Sequence, residues 1–256
     1  MAKKCLIITG MHRSHTSMVA QVIHDAGLFL GSSLIPGNEF NQNGHFEEES
    51  IVRFHSSLLQ KRNLSMRAQK YNFDQQPADK WTKVELRRAE NLLRDGFEMS
   101  TFGWKDPRSI FFLDEWSSLV PELYVLFTFR HPVSVVTSLL RRSLSTRRFR
   151  WRPDLFWRLL NYWKTKNKLI LDYIKRFPKR SALILSPDDL IDRNSSKLLH
   201  DIMNDEWGFP LNALDFSSSY DPRYDHSKKF NQWVNMVYYC RPDVKKVFAE
   251  LNELRI

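Results

Sequence analysis

The sequence predicts an α/β fold in three layers around a mostly parallel sheet. Three observations lead there. Short apolar runs at 4–9, 123–129 and 181–186 alternate with longer stretches of helical spacing, the order expected of strand–helix–strand units. The run LYVLFTF at 123–129 is apolar without alternation, as a strand covered on both faces must be. No internal repeat and no break in composition divides the chain, so residues 1–256 read as a single domain.

The elements follow in order. KCLIIT (4–9) is the first strand, and 16–26 carries apolar residues at 18, 19, 22, 23 and 26 before the natural stop Gly27. Residues 31–45 are dense in Gly, Asn, Ser and Pro and read as a loop. A second helix is predicted over 47–62, with Ile51, Phe54, Leu58 and Leu59 on one side. An irregular polar tract fills 63–80, and a charged helix follows over 83–93. In GWKDPRS (103–109), Trp104 and Lys105 end a short strand and Pro107 starts the next element. After the strand 123–129 comes RHPVSVVTSLLRR, whose Pro132 suits the first turn of a helix. A long aromatic-rich helix is expected over 153–176, a strand over 181–186, and helices near 194–204 and 242–254.

Eighteen Phe and eight Trp within a 42% hydrophobic composition supply a full core and exclude general disorder. No stretch reaches the ~20 apolar residues of a membrane span. Lys3 and Lys4 resemble the start of a signal peptide, but His12 and Arg13 cut the apolar run that follows, so a cytoplasmic protein is expected. Cys5 reads as a small buried hydrophobe, and no Cys/His spacing matches a zinc site. The net charge of +10 favours anionic partners without choosing among them.

The segment ITGMHRSHTS (8–17) joins the first strand to the first helix. Strand, polar turn and helix N-terminus together make a phosphate cradle, since backbone N–H groups and the helix dipole both point at the anion. A nucleotide-phosphate loop of the G-x-x-x-x-G-K-[ST] form has a second glycine and a lysine. Here Gly10 is present, both others are missing, and Arg13 lies inside the turn. An arginine fork keeps its charge and suits an anion with several equivalent oxygens. Ser14, Thr16 and Ser17 either join that cradle or simply cap the helix.

Gly10-Met11-His12-Arg13-Ser14-x-Thr16-Ser17 resembles the 5′-phosphosulfate loop of PAPS-dependent sulfotransferases, in the bacterial branch where Arg replaces Lys. FTFRHPVSVVTSLLRR resembles that family's 3′-phosphate motif, a strand ending in Arg130 with Ser138 eight residues on. GHFEEESIVRFHSSLL resembles the segment opening the second helix, with Glu47 best placed, and GWKDPRS offers Lys105 and Arg108. The resemblance covers parts of residues 5–142. It implies a P-loop NTPase-like version of the three-layer fold, 3′-phosphoadenosine 5′-phosphosulfate (PAPS) as donor without a metal, and a hydroxyl acceptor, a carbohydrate rather than nucleic acid. It also implies Gly10, Arg13, Ser14, His15, Thr16, Ser17, Arg130 and Ser138 as donor-binding residues. Glu47 would be the base, and Arg13 and Lys105 would offset charge on the sulfonate.

The residues themselves agree in part and leave alternatives. A donor with two anionic ends needs two anion sites on neighbouring strands, and both motifs lie where a strand meets a helix. Ser134, Ser138 and Arg141 share a helix face, so Ser138 is expected to meet the same phosphate as Arg130. His15 stands where the family has Gly; histidine is among the residues that tolerate φ > 0, at a cost of about 1 kcal/mol. Glu47, Glu48 and Glu49 compete as base, or serve only the helix dipole. Lys105 with Asp106 has a surface ion pair as its plain reading, and His12, His55 and His131 are read as structural. Residues 141–152 interleave arginine with aromatics, which reads as a solvated basic face, a nucleic-acid or lipid-surface patch, or an approach for an anionic acceptor. Phe156, Trp157, Tyr162 and Trp163 are expected in the core. A P-loop kinase using ATP and Mg²⁺, and a non-catalytic nucleotide- or anion-binding protein, are the competing functions.

Overall fold

The computed structural model describes residues 3–37, 44–62, 64, 80–145, 154–177, 181–187, 190, 192–217 and 231–256. Most of the polar tract 63–80 and the basic stretch beyond residue 145 lie outside them.

Four strands, β1 (Lys4–Gly10), β2 (Thr101–Lys105), β3 (Glu122–Thr128) and β4 (Ala182–Leu185), form one parallel sheet in the order β2–β1–β3–β4. Helices α1 (Thr16–Asp25), α2 (Glu49–Lys61) and α3 (Lys83–Gly96) lie between β1 and β2, and α4 (Leu113–Leu119) between β2 and β3. Helices α5 (Pro132–Ser145) and α6 (Leu155–Arg176) join β3 to β4; α7 (Arg193–Asp201), α8 (Asn231–Tyr239) and α9 (Pro242–Leu254) follow. A π-helical turn, Ile202–Glu206, continues α7, so the helix predicted over 194–204 changes pitch partway. Sequence reading missed α4 and α8, which are short and lack strong capping signals.

Alternate side chains of each strand enter two different cores. Cys5, Ile7, Phe102, Trp104, Val125, Phe127 and Ile184 face a large cluster filled by α2, α4, α5, α6 and α9. Leu6, Ile8, Leu126 and Leu185 face a second cluster built with α1, α7 and residues 207–216. Burial on both faces explains why the strands lack polar alternation. Cys5 is fully buried, as expected. Trp163 and Tyr162 are core residues, whereas Trp157 is exposed, with the Arg241 guanidinium 5.2 Å from its ring centre. Among the described residues no helix is long and apolar enough to cross a membrane.

Register fixes where the strands end. Ile8 pairs with Lys105, Gly10 with Thr128, and Thr128 with Leu185. The loops after β1, β2 and β3 therefore open at one edge, the carboxyl edge where parallel sheets take ligands.

Candidate functional site

The loop after β1 is held in a conformation few residues adopt. Gly10 has φ 148°, and a Cβ there would run into the Thr128 carbonyl oxygen of β3. Arg13 (φ 70°) and His15 (φ 59°, ψ 21°) both occupy the left-handed region, each at a cost of about 1–3 kcal/mol that strand packing must offset. His15 thus adopts the expected positive φ. It is the N-cap of α1 and makes no side-chain cap bond, so the hydroxyls of Ser14, Thr16 and Ser17 are not spent as the N-cap. Ser14 is fully buried and its Oγ has no protein partner; the same holds for Thr128 Oγ1 at the end of β3 and Thr137 Oγ1 on α5. Enclosed hydroxyls normally find partners. Two of them, Ser14 Oγ and Thr128 Oγ1 against Gly10, lie at the strained loop and fit a ligand rich in acceptor oxygens.

Arg13 and the β3 motif meet directly. Arg13 Nε donates to Ser138 Oγ at 2.7 Å. Ser138, expected to share a phosphate with Arg130, accepts from the β1 loop and keeps its own O–H as a donor. Arg130 is buried at the end of β3, 6% exposed, and its carbonyl oxygen accepts from Trp163 Nε1 at 3.0 Å. Both arginines therefore belong to one sheet edge and are linked through α5.

The third part is a buried chain of charges. Lys105, 2% exposed, donates to Glu47 Oε1 at 2.7 Å, to Ser17 Oγ at 3.2 Å and to the His45 carbonyl at 3.1 Å. Arg108 reaches Glu47 Oε2 at 3.3 Å and Asp106 Oδ1 at 2.8 Å. The carboxylate Asp106 Oδ2 lies 2.7 Å from His55 Nδ1, and Trp116 Nε1 donates to His55 Nε2 at 2.9 Å. Since the indole can only donate, His55 Nε2 accepts and Nδ1–H points at Asp106. Burial alone would raise Asp106; the Arg108 charge and the His55 hydrogen bond outweigh it and hold the carboxyl well below the usual carboxylate range. A surface ion pair between Lys105 and Asp106 is thus replaced by two separate buried pairings.

The glutamate triplet separates into roles. Helix α2 begins at Glu49, two residues later than predicted, and Glu48 is its N-cap, accepting from Ser50 N and Ser33 N. Glu49 pairs with Arg53 on the surface. The dipole and capping duties fall to Glu48 and Glu49, which leaves Glu47 turned toward Lys105 and Arg108.

Two further groups lie beside this chain. Lys166 on α6 is buried, donates to the Pro107 carbonyl at 3.3 Å and sits 3.5 Å from the Phe111 ring centre. Burial pushes its amine well below the ordinary lysine value; Asp106 opposes that and Arg108 adds to it. His12 keeps part of its surface in solvent, but its Nε2 is enclosed without a protein partner. Only the WKDPR turn carried a sequence signal for this cluster. His55, Trp116 and Lys166 come from helices whose spacing reads as ordinary core.

No protein-family model and no curated protein matches the sequence. Solved structures do match in fold. A sulfotransferase of Mycobacterium tuberculosis superposes with a TM-score of 0.58 at 16% identity, covering 98% of this chain and 77% of that one. A sulfotransferase of Alicyclobacillus acidocaldarius gives 0.56 at 14% identity, covering 100% and 98%. The sulfotransferase domain of the curacin biosynthetic pathway gives 0.54 at 11% identity, covering 98% of each. The chain thus has the mixed α/β, parallel-sheet fold seen in bacterial sulfotransferases.

Proposed function

We propose that the protein is a sulfotransferase that moves a sulfuryl group from PAPS to a hydroxyl acceptor. The observation that carries this reading is the Arg13–Ser138 hydrogen bond. It joins a 5′-phosphosulfate-type loop to a 3′-phosphate-type motif, as one ligand with two anionic ends requires. Unpaired Ser14 Oγ and Thr128 Oγ1 fit the same ligand, and Gly10, His15, Thr16, Ser17 and Arg130 complete the donor site. A carbohydrate acceptor is proposed from the family resemblance, and a cytoplasmic location from the interrupted apolar run after Lys3 and Lys4.

In the reaction, Glu47 takes the acceptor proton and the acceptor oxygen bonds to sulfur. The bond from sulfur to the bridging oxygen breaks, and its electron pair stays on the departing 5′-phosphate. Arg13 and Lys105 offset the charge that grows there. Glu47 is the one acid of its triplet not used in capping or on the surface, and its carboxylate faces Lys105 and Arg108. Replacing Glu47 by Gln should slow turnover by about 100-fold while changing bisphosphate affinity by less than about threefold, which is under ~0.7 kcal/mol.

Thermal unfolding tests the donor assignment. Adenosine 3′,5′-bisphosphate at 100 times its Kd should stabilise by ~2.7 kcal/mol, or about 5–10 °C for a chain of this size. ADP and AMP should do far less. Stabilisation by ATP only with Mg²⁺ would make the protein a kinase, and a response to polyanions but to no nucleotide would make it a binding module.

A further inference from the structure

We propose that His12 is a donor-binding residue whose Nε2 hydrogen-bonds the 5′ anionic end of the nucleotide. The inference deepens the sulfotransferase reading and rests on it. Geometry supplies the first support. His12 sits in the loop between Gly10 and Arg13, and its Nε2 is enclosed yet has no protein partner. Ser14 Oγ, two residues further along the same loop, and the Nε of Arg108, whose charge acts on the ring, are enclosed and unpaired as well. A buried ring nitrogen left unpaired is unfavourable, and a ligand oxygen would relieve it.

The surroundings supply the second. The charged groups acting on the ring are Lys166 from α6 and Lys105, Asp106 and Arg108 from the end of β2. Burial and the three cations drive its basicity well below the ordinary histidine value, against Asp106 alone. The free protein therefore holds His12 neutral at pH 7. A multiply charged anion arriving among those cations opposes their effect on the ring, and in the proposed complex the ring takes up a proton against the remaining effect of burial. The imidazolium then donates to the 5′-phosphate through a charge-assisted bond. Affinity should rise as pH falls between the depressed value in the free protein and the higher value in the complex.

The test compares wild type with His12→Gln, using adenosine 3′,5′-bisphosphate and adenosine 3′-monophosphate, which lacks the 5′ group. Titration calorimetry at pH 7 in buffers of different ionisation enthalpy reads the net proton uptake of the ring and the ligand phosphates together. Wild type should take up more protons than the variant with the bisphosphate. Its affinity advantage should be about tenfold at pH 6, since linkage allows at most ~tenfold per pH unit for one proton, and should shrink toward pH 9. With the monophosphate the two proteins should agree. Imidazole ¹⁵N shifts of wild-type His12 provide a readout without a variant, neutral when free and protonated when bound. Equal proton uptake, or the same affinity gap with both ligands, would overturn the role of His12 and leave the sulfotransferase reading standing. If wild type bound neither nucleotide, both would fall.

Discussion

Replacing His55 by Leu would cut the chain Trp116–His55–Asp106 at its centre. All three side chains are buried, and His55 serves one neighbour as acceptor and the other as donor. Leucine nearly matches the ring in volume, so the cavity contribution is small. What remains is polar. A stranded Trp116 N–H costs about 1–3 kcal/mol, and a lost hydrogen bond to ionised Asp106 about 1.5–3. The ring also stacks on Phe112 at a centroid distance of 5.2 Å, worth about 0.5–1 kcal/mol. Asp106 keeps Arg108, and the three contributions together come to about 3–7 kcal/mol in urea unfolding at pH 7. Adding Trp116→Phe removes the stranded donor, so the double variant should fall short of additivity by roughly 1 kcal/mol or more. The pH dependence has a definite sign. Asp106 titrates lower in the folded state than unfolded, so its contribution is present above the unfolded value near ~4 and is lost as pH falls below it. The difference between wild type and His55→Leu should therefore narrow below about pH 4. A loss under about 1 kcal/mol, or a gap unchanged by acid, would show that His55 does not hold Asp106.

Three other outcomes follow from the same geometry. Gly10→Ala forces a Cβ against the Thr128 carbonyl oxygen at a φ of 148°, so it should cost more than about 3 kcal/mol or prevent folding; near-wild-type circular dichroism and Tm would contradict the close approach. His15→Gly relieves a left-handed φ of 59° and should leave stability unchanged or raised by up to about 1 kcal/mol; a clear loss in urea would mean that the ring's contacts outweigh the strain. Lys166→Met removes an amine whose folded basicity is lowered by burial. The unfolded chain binds that proton at pH 7 more readily than the native one, so the variant should be more stable by on the order of 1 kcal/mol, with the gain shrinking as pH rises toward ~10.4.

The sheet was legible because two-sided burial leaves a simple trace: Val125, Leu126 and Phe127 of β3 and Cys5, Leu6, Ile7 and Ile8 of β1 are apolar without interruption. The β1 loop was legible because Gly10 and Arg13 are unusual at that place. The pairing of Glu47 was half legible. Three successive acids look alike in sequence, and only the turn that makes Glu48 the N-cap of α2 decides which one faces inward. His55 shows the limit most clearly. Its spacing with Ile51, Phe54, Leu58 and Leu59 is that of a core position, and it is a core position. Nothing local marks it as the residue that holds Asp106, because Asp106 lies 51 positions away.

The same limit explains Ser138. From helical spacing it belongs beside Arg130, since both are carried by one strand–helix unit. In the fold it accepts from Arg13, a residue 125 positions away. That contact follows from strand order: β1 and β3 are neighbours with Gly10 level with Thr128, so the loop leaving one strand lies against the helix leaving the other. Arg13 has a left-handed backbone and a half-buried hydroxyl at its Nε, which together fix the direction of its guanidinium before any ligand arrives. A clamp oriented in advance loses less entropy on binding. The two anion motifs are therefore coupled mechanically as well as adjacent. Ser138→Ala should weaken binding of a ligand held only at the 5′ end as well as one held at both, whereas a serine serving only the 3′-phosphate would affect the second alone.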